Sequence, residues 1–244
     1  MSNKLLSLSY RSILGVALPM MVSGFIQSIV LITDSAFISR YSVEGFDAVG
    51  NAGLAYITFY MMILGMADGS QILMARRIGE GESKQVGRIL SASWIILSVL
   101  ALMFFALLTF MVPELIQSYS KNHQVALLQG QYLSHRSYSL FFSAITLGFQ
   151  SYYLARGKTW VVLLAAITTA LTNVLFDYLL IFGIGVFPKM GVAGAATASS
   201  IADATGMILL LLISVFSKDN LEFGLFEKLN KITAELKSII KVGT

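Results

Sequence analysis

Six apolar stretches, at about 13–38, 48–75, 89–112, 133–155, 161–182 and 192–216, leave this chain few ways to fold. Each holds roughly twenty residues or more, and ~20 residues of helix rise ~30 Å, the depth of a bilayer's hydrocarbon core. A helix satisfies its own backbone donors and acceptors over that depth, where no water can do so. The fold expected is all-α: a polytopic membrane protein built as a six-transmembrane-helix bundle. Composition agrees, with 56% hydrophobic and 12% charged residues, against about a quarter charged in soluble domains. There is no cysteine, which excludes disulfides and thiolate metal sites. No small-residue cleavage site follows the first span, so that span reads as retained rather than as a signal peptide.

Charge distribution gives an orientation. Lys4 and Arg11 precede the first span, and Arg76, Arg77, Lys84 and Arg88 follow the second. Arg156 and Lys158 follow the fourth, and Lys218, Lys228, Lys231, Lys237 and Lys241 follow the sixth. These thirteen fall on one side, while Arg40, Lys121 and Lys189 fall on the other and Arg136 sits at a span edge. The positive-inside rule places both termini in the cytoplasm.

The loops are short, so residues 1–217 read as one six-helix lobe and 218–244 as a separate cytoplasmic segment. In that segment Leu229, Ile232, Leu236, Ile239 and Ile240 recur at helical spacing among lysines and glutamates, as in an amphipathic helix on a membrane surface. Leu236-Lys237-Ser238-Ile239-Ile240-Lys241-Val242 echoes Tyr10-Arg11-Ser12-Ile13-Leu14-Gly15-Val16 in its basic residue, Ser, Ile, second aliphatic and Val. Transporters are often built from two repeated halves. The echo therefore suggests the first turn of a seventh helix and a second lobe beyond it.

Two acids lie inside the spans: Asp34 in the first and Asp177 in the fifth. A carboxylate at bilayer depth costs roughly 2.5–3.5 kcal/mol, so it is kept where it lines a cavity or binds something. Counting along the spans puts Asp34, Asp177 and Thr197 at one level, roughly 6–8 Å below the outer edge. Asn173, one turn deeper than Asp177, shares its helix face. Two carboxylates, an amide oxygen and a hydroxyl are oxygens that suit a hard cation. Two buried carboxylates could instead share a proton, since burial and like charge both disfavour double ionisation. The alternative is that these groups face loop water or cap helix ends.

Several segments resemble the multidrug and toxic compound extrusion (MATE) transporters. Ala17-Leu18-Pro19-Met20 and Ile32-Thr33-Asp34-Ser35-Ala36-Phe37-Ile38 are similar to that family's first helix. Ala75-Arg76-Arg77-Ile78-Gly79-Glu80-Gly81-Glu82 resembles the end of its second helix, and Leu154-Ala155-Arg156-Gly157-Lys158-Thr159 its fourth loop. Most specific are Thr172-Asn173-Val174-Leu175-Phe176-Asp177-Tyr178-Leu179-Leu180-Ile181-Phe182-Gly183 and Met190-Gly191-Val192-Ala193-Gly194-Ala195-Ala196-Thr197-Ala198. The resemblance implies the N-terminal lobe of a twelve-helix antiporter that exports amphipathic or cationic compounds against inward H+ or Na+. It implies a coupling site of Asp34, Asn173, Asp177 and Thr197, and a helix kink at Pro19, whose missing N–H permits a bend. Asp177 favours the DinF-like type, since the NorM branch tends to lack that acid. The partners implied are membrane lipid, small-molecule substrates and a second six-helix lobe, with no cofactor, no metal beyond Na+ and no nucleic acid. The location implied is a bacterial-type inner membrane.

Asp68 and Gln71 share a face of the second span, and Asp203 lies deepest in the sixth; all three are candidates for the substrate path. His135 and Arg136 read as interface anchors; Met20, Met21, Met61, Met62 and Met66 would suit a pliable drug cavity, but read first as core filling. Gly191, Gly194, Ala195 and Ala198 suit close helix packing. An enzyme is disfavoured: there is no His-Glu-x-x-His or Gly-x-Ser-x-Gly, and Gly157-Lys158-Thr159 lacks the earlier glycine of a phosphate loop. A six-helix subunit or homodimeric half-transporter is the rival reading.

Overall fold

Ser42 alone separates the first two helices, α1 (Tyr10–Tyr41) and α2 (Val43–Gly79). Its backbone is extended and its hydroxyl accepts the Gly45 N–H at 3.0 Å, ending one ladder and capping the next. The computed structural model describes residues 10–217, 220–225 and 233–243. Lys4, Lys218, Lys228, Leu229, Lys231 and Ile232, used above for charge and periodicity, lie outside these residues. α1 runs unbroken through Pro19, which leaves the Gly15 carbonyl without its ladder donor. Ser23 Oγ donates to the Pro19 carbonyl at 2.8 Å.

After a turn at Gly81 (φ +80) comes α3 (Ser83–Ala106), then a π turn at Leu107–Met111, then α4 (Val112–Tyr119). Pro113 explains the π turn: it has no N–H for the Thr109 carbonyl, and the Val112 N–H bonds instead to Leu107, five residues back. Asn122 accepts the N–H groups of Gln124 and Val125 and starts α5 (His123–Arg136), which is followed by α6 (Ser139–Ala155). The bundle is completed by α7 (Thr159–Phe182) and α8 (Val192–Phe216). Two short helices follow, α9 (Asn220–Phe223) and α10 (Thr233–Gly243). No strand occurs among the described residues.

Five of the helical stretches are long and apolar enough by themselves to cross a membrane. The fourth span, expected to run unbroken over 133–155, is divided between α5 and α6 at Ser137–Tyr138. There the ladder tightens, with the Leu140 N–H on the Ser137 carbonyl at 3.1 Å. The Ser137 hydroxyl bonds across to Thr109 in the π turn, at 2.8 Å. α6 itself has 17 residues, ~25 Å of helix.

The most extensive helix–helix packing is between α7 and α8. A Cβ on Gly194 would stand 2.7 Å from the Leu180 carbonyl oxygen, so only glycine allows this approach. Gly183 closes α7 in the left-handed conformation (φ +71). The Met190 N–H then returns to the Leu180 carbonyl at 2.8 Å, locking the hairpin. α1 packs on α7, while α2, α3, α5 and α6 enclose a core around Leu97, Phe104, Leu133 and Leu140.

α10 does not lie apart on a membrane surface. It rests against α2 and α3, with Ile239 fully buried, Leu236 packed beside it and Ile240 exposed. The Gly243 backbone lies so near Gly69 that a Cβ on Gly69 would meet it at 3.0 Å. Gly69 is ten residues inside α2, ~15 Å from its end. Of the apolar face predicted for this helix, Leu236 and Ile239 are turned to the bundle and Ile240 is not.

Candidate functional site

Asp34 on α1 and Asp177 on α7 face each other within hydrogen-bonding reach. With both ionised, neither can donate, and Asp34 Oδ1 and both oxygens of Asp177 are buried without a donor. Asp177 is fully buried, and Asn173, one turn below it, nearly so. Asn173 Nδ2 donates to Ser199 Oγ of α8 at 3.4 Å, while its Oδ1 is buried and unpaired. The depth count that put Asp34 and Asp177 at one level therefore corresponds to a real juxtaposition. Four buried oxygens without donors (one from Asp34, two from Asp177, one from Asn173) form a small, strongly electronegative patch. It could take a proton between the two acids or a desolvated monovalent cation. Among the described residues no group of three or more His, Cys, Asp or Glu could hold a metal ion.

Thr197 is placed differently. It stands two residues from Ser199, about 200° round the helix, and its hydroxyl donates to the Ala193 carbonyl at 2.8 Å. Its side chain lines a crevice of about 250 Å³ with His135, Tyr138, Phe142 and Ser200. Ser199 is the hydroxyl that meets Asn173.

Arg136 is no interface anchor. Its side chain is only 17% exposed and reaches Asp203 of α8 at 3.0 Å. The same nitrogen meets Ser139 Oγ, and Ser139 in turn donates to Asp203. The guanidinium lies over the Tyr56 ring of α2, 4.4 Å from its centroid. A buried charge must be paired, and Asp203, deep in α8, draws Arg136 inward from the end of α5. The signal that could have found this pair was the unpaired Asp203 itself: Arg136 was the one basic residue lying at a span edge rather than in a loop. His135 turns the other way, with its ring on the Gln131 carbonyl at 2.9 Å.

The remaining candidates scatter. Asp68 is exposed on α2 and Gln71 half-buried. Met66 packs in the core, but Met20, Met21, Met61 and Met62 are exposed, contrary to the core-filling expectation. They project from helices α1 and α2, whose outer faces no other described helix covers.

Helices of membrane-crossing length around buried acids define a polytopic membrane protein that holds ionisable groups inside its bundle. The chain belongs to the MatE family, whose profile matches residues 19–179, and that family consists of transporters rather than enzymes. A "Probable multidrug resistance protein NorM" of Thermotoga maritima is 25% identical over 222 residues, covering 87% of this chain and 46% of the relative. One of the same description from Synechocystis is 24% identical over 237 residues, covering 96% and 50%. A crystal structure of a MATE protein with a proline-to-alanine mutation superposes with a TM-score of 0.87 at 19% identity, covering 99% of this chain and 53% of that one. An outward-facing multidrug resistance MATE family transporter of the MOP superfamily gives 0.85 at 20% identity, covering 95% and 50%. The structural likeness concerns the fold. The chain spans about half the length of the relatives it matches.

Proposed function

We propose that this chain forms the N-terminal lobe of an ion-coupled efflux antiporter, in which the Asp34–Asp177 pair binds the coupling H+ or Na+. The observation that carries the reading is the pair itself, two buried carboxyls face to face with no donor between them. Such a pair holds strongly unfavourable charge until a cation arrives. Loading and unloading it can therefore bias α1 against α7, with Pro19 the point where α1 can bend. Asn173 supplies a further oxygen, while Thr197, on another face of α8, supplies none to the pair. Asp68, Gln71 and Asp203 border the route of an amphipathic or cationic substrate. The names of the relatives support multidrug export. Asp177 supports the DinF-like type, while the two relatives quoted carry the NorM name.

In this reading residues 1–217 are the lobe, and 218–244 lead from the cytoplasmic face towards a second six-helix lobe. Both ends lie on the cytoplasmic side of a bacterial-type plasma membrane. The test is dye efflux by the complete gene product in cells or proteoliposomes with an imposed H+ or Na+ gradient. Asp34→Asn and Asp177→Asn should each lower gradient-driven efflux by roughly 5–150-fold, the span of ordinary coupling free energies. Efflux by Asp34→Asn that keeps both its rate and its gradient dependence would sink the reading.

A further inference from the structure

The interior holds acids of two kinds. Asp203 Oδ2 receives two donors, the Arg136 guanidinium and the Ser139 hydroxyl. Asp34 and Asp177, whose charges sense Arg136 as well, have no donor on their buried oxygens. Around Arg136, α1 presents Asp34, α5 Tyr132, α7 Asp177 and α8 Asp203. α2 contributes Tyr56 and Tyr60, and α6 the Ser139 hydroxyl. Three carboxyls and one guanidinium thus share one low-dielectric interior. The guanidinium is tied to Asp203 by a hydrogen bond as well as by charge, so this acid has a cation of its own.

We propose that the Arg136–Asp203 ion pair sets the cation stoichiometry of the lobe, removing Asp203 from ion uptake so that the Asp34–Asp177 pair takes a single monovalent cation. Arg136 is then a tethered internal cation and a specificity-determining residue, although it touches neither substrate nor coupling ion. The geometry gives the reason. One proton between two facing carboxyls supplies the missing donor, and a third acid without its own cation would demand a second. This inference rests on the reading of the Asp34–Asp177 pair given above.

The test is infrared spectroscopy of the purified chain in detergent, in sodium-free buffer at neutral pH, counting buried protonated carboxyls by their C=O stretch. The wild type should show one, lost in Asp34→Asn and in Asp177→Asn. Arg136→Leu should double the band, and Arg136→Leu with Asp203→Asn should return it to one. Arg136→Lys should keep one, because an ammonium still pairs with Asp203. Arg136→Leu with Asp203→Leu replaces the ion pair by apolar groups, which commonly preserves folding, and should also show one. A single band in Arg136→Leu with native helicity, or no band in the double leucine variant, overturns the proposal. If Asp34→Asn and Asp177→Asn leave the wild-type band intact, the coupling-pair reading fails instead, and the two failures are distinguishable.

Discussion

Thr109, within the π turn, and Ser137, at the break between α5 and α6, hydrogen-bond to each other at 2.8 Å. Two irregular points in neighbouring helices therefore sit at one level and are tied together. The bond joins the two side-chain hydroxyls, and Ser137 also donates to the Ser134 carbonyl, so the Thr109 hydroxyl is the donor between them. Ser137→Ala should destabilise the chain by about 1–3 kcal/mol, since it strips the half-buried Thr109 hydroxyl of its partner, and Thr109→Val by less, since the Ser137 hydroxyl still donates to the Ser134 carbonyl at 3.1 Å. The double variant should cost clearly less than the two singles together. Thermal unfolding of the four proteins in one detergent checks this, and simple additivity would mean that the bond is not formed.

Asp177→Asn should raise stability while lowering transport. The amide offers an N–H to the Asp34 carboxylate, a charge-assisted bond worth about 1.5–3 kcal/mol, where the wild type opposes two acids. A melting temperature for the variant below that of the wild type at alkaline pH would count against facing acids. This opposition of stability and activity is common at functional sites.

The glycines of this chain should divide into two classes. Gly194→Ala drives a methyl group against the Leu180 carbonyl backbone, which cannot yield without separating α7 from α8, and should cost about 1–3 kcal/mol. Gly50, within α2, has nothing within 4 Å of a built Cβ. Gly50→Ala should stabilise the purified chain by about 0.5–1 kcal/mol through helix propensity. Opposite signs in one unfolding assay are the expected outcome.

At the basic end of α2, the Arg76 side chain, and after it Arg77, holds the Glu80 carboxyl below the usual carboxylate range. A lowered acid contributes stability that is complete above its unfolded value and lost as pH falls through its folded value. Glu80→Gln should therefore match the wild type in strongly acidic buffer and fall slightly below it near neutrality. The difference should shrink in high salt, because the pair is exposed and screened. A gap that persists in molar salt would mean that Glu80 acts by some other contact.

Much of the architecture was legible in the chain because depth in a membrane is one-dimensional. Apolar length marked the spans, and counting residues along each axis put Asp34 and Asp177 level before their contact was known. What the counting missed lies in rotation and neighbourhood. The expectation grouped Thr197 with the acids, yet Ser199 is the hydroxyl turned to Asn173. Arg136 looked like an anchor because its place in the sequence is the end of an apolar run. The methionines looked like core because composition does not say which helices receive no neighbour.

By itself, then, the sequence determined an all-α membrane bundle, the level of its buried acids and a stretch of small residues from Gly191 to Ala198 suited to close packing, whose partner helix it did not name. Only the tertiary structure decided which acid receives a cation from within. Asp203 and Arg136 are 67 residues apart, and nothing local to either fixes their meeting. It follows from how α5 and α8 are rotated when their apolar faces pack, a choice made by all the helices together.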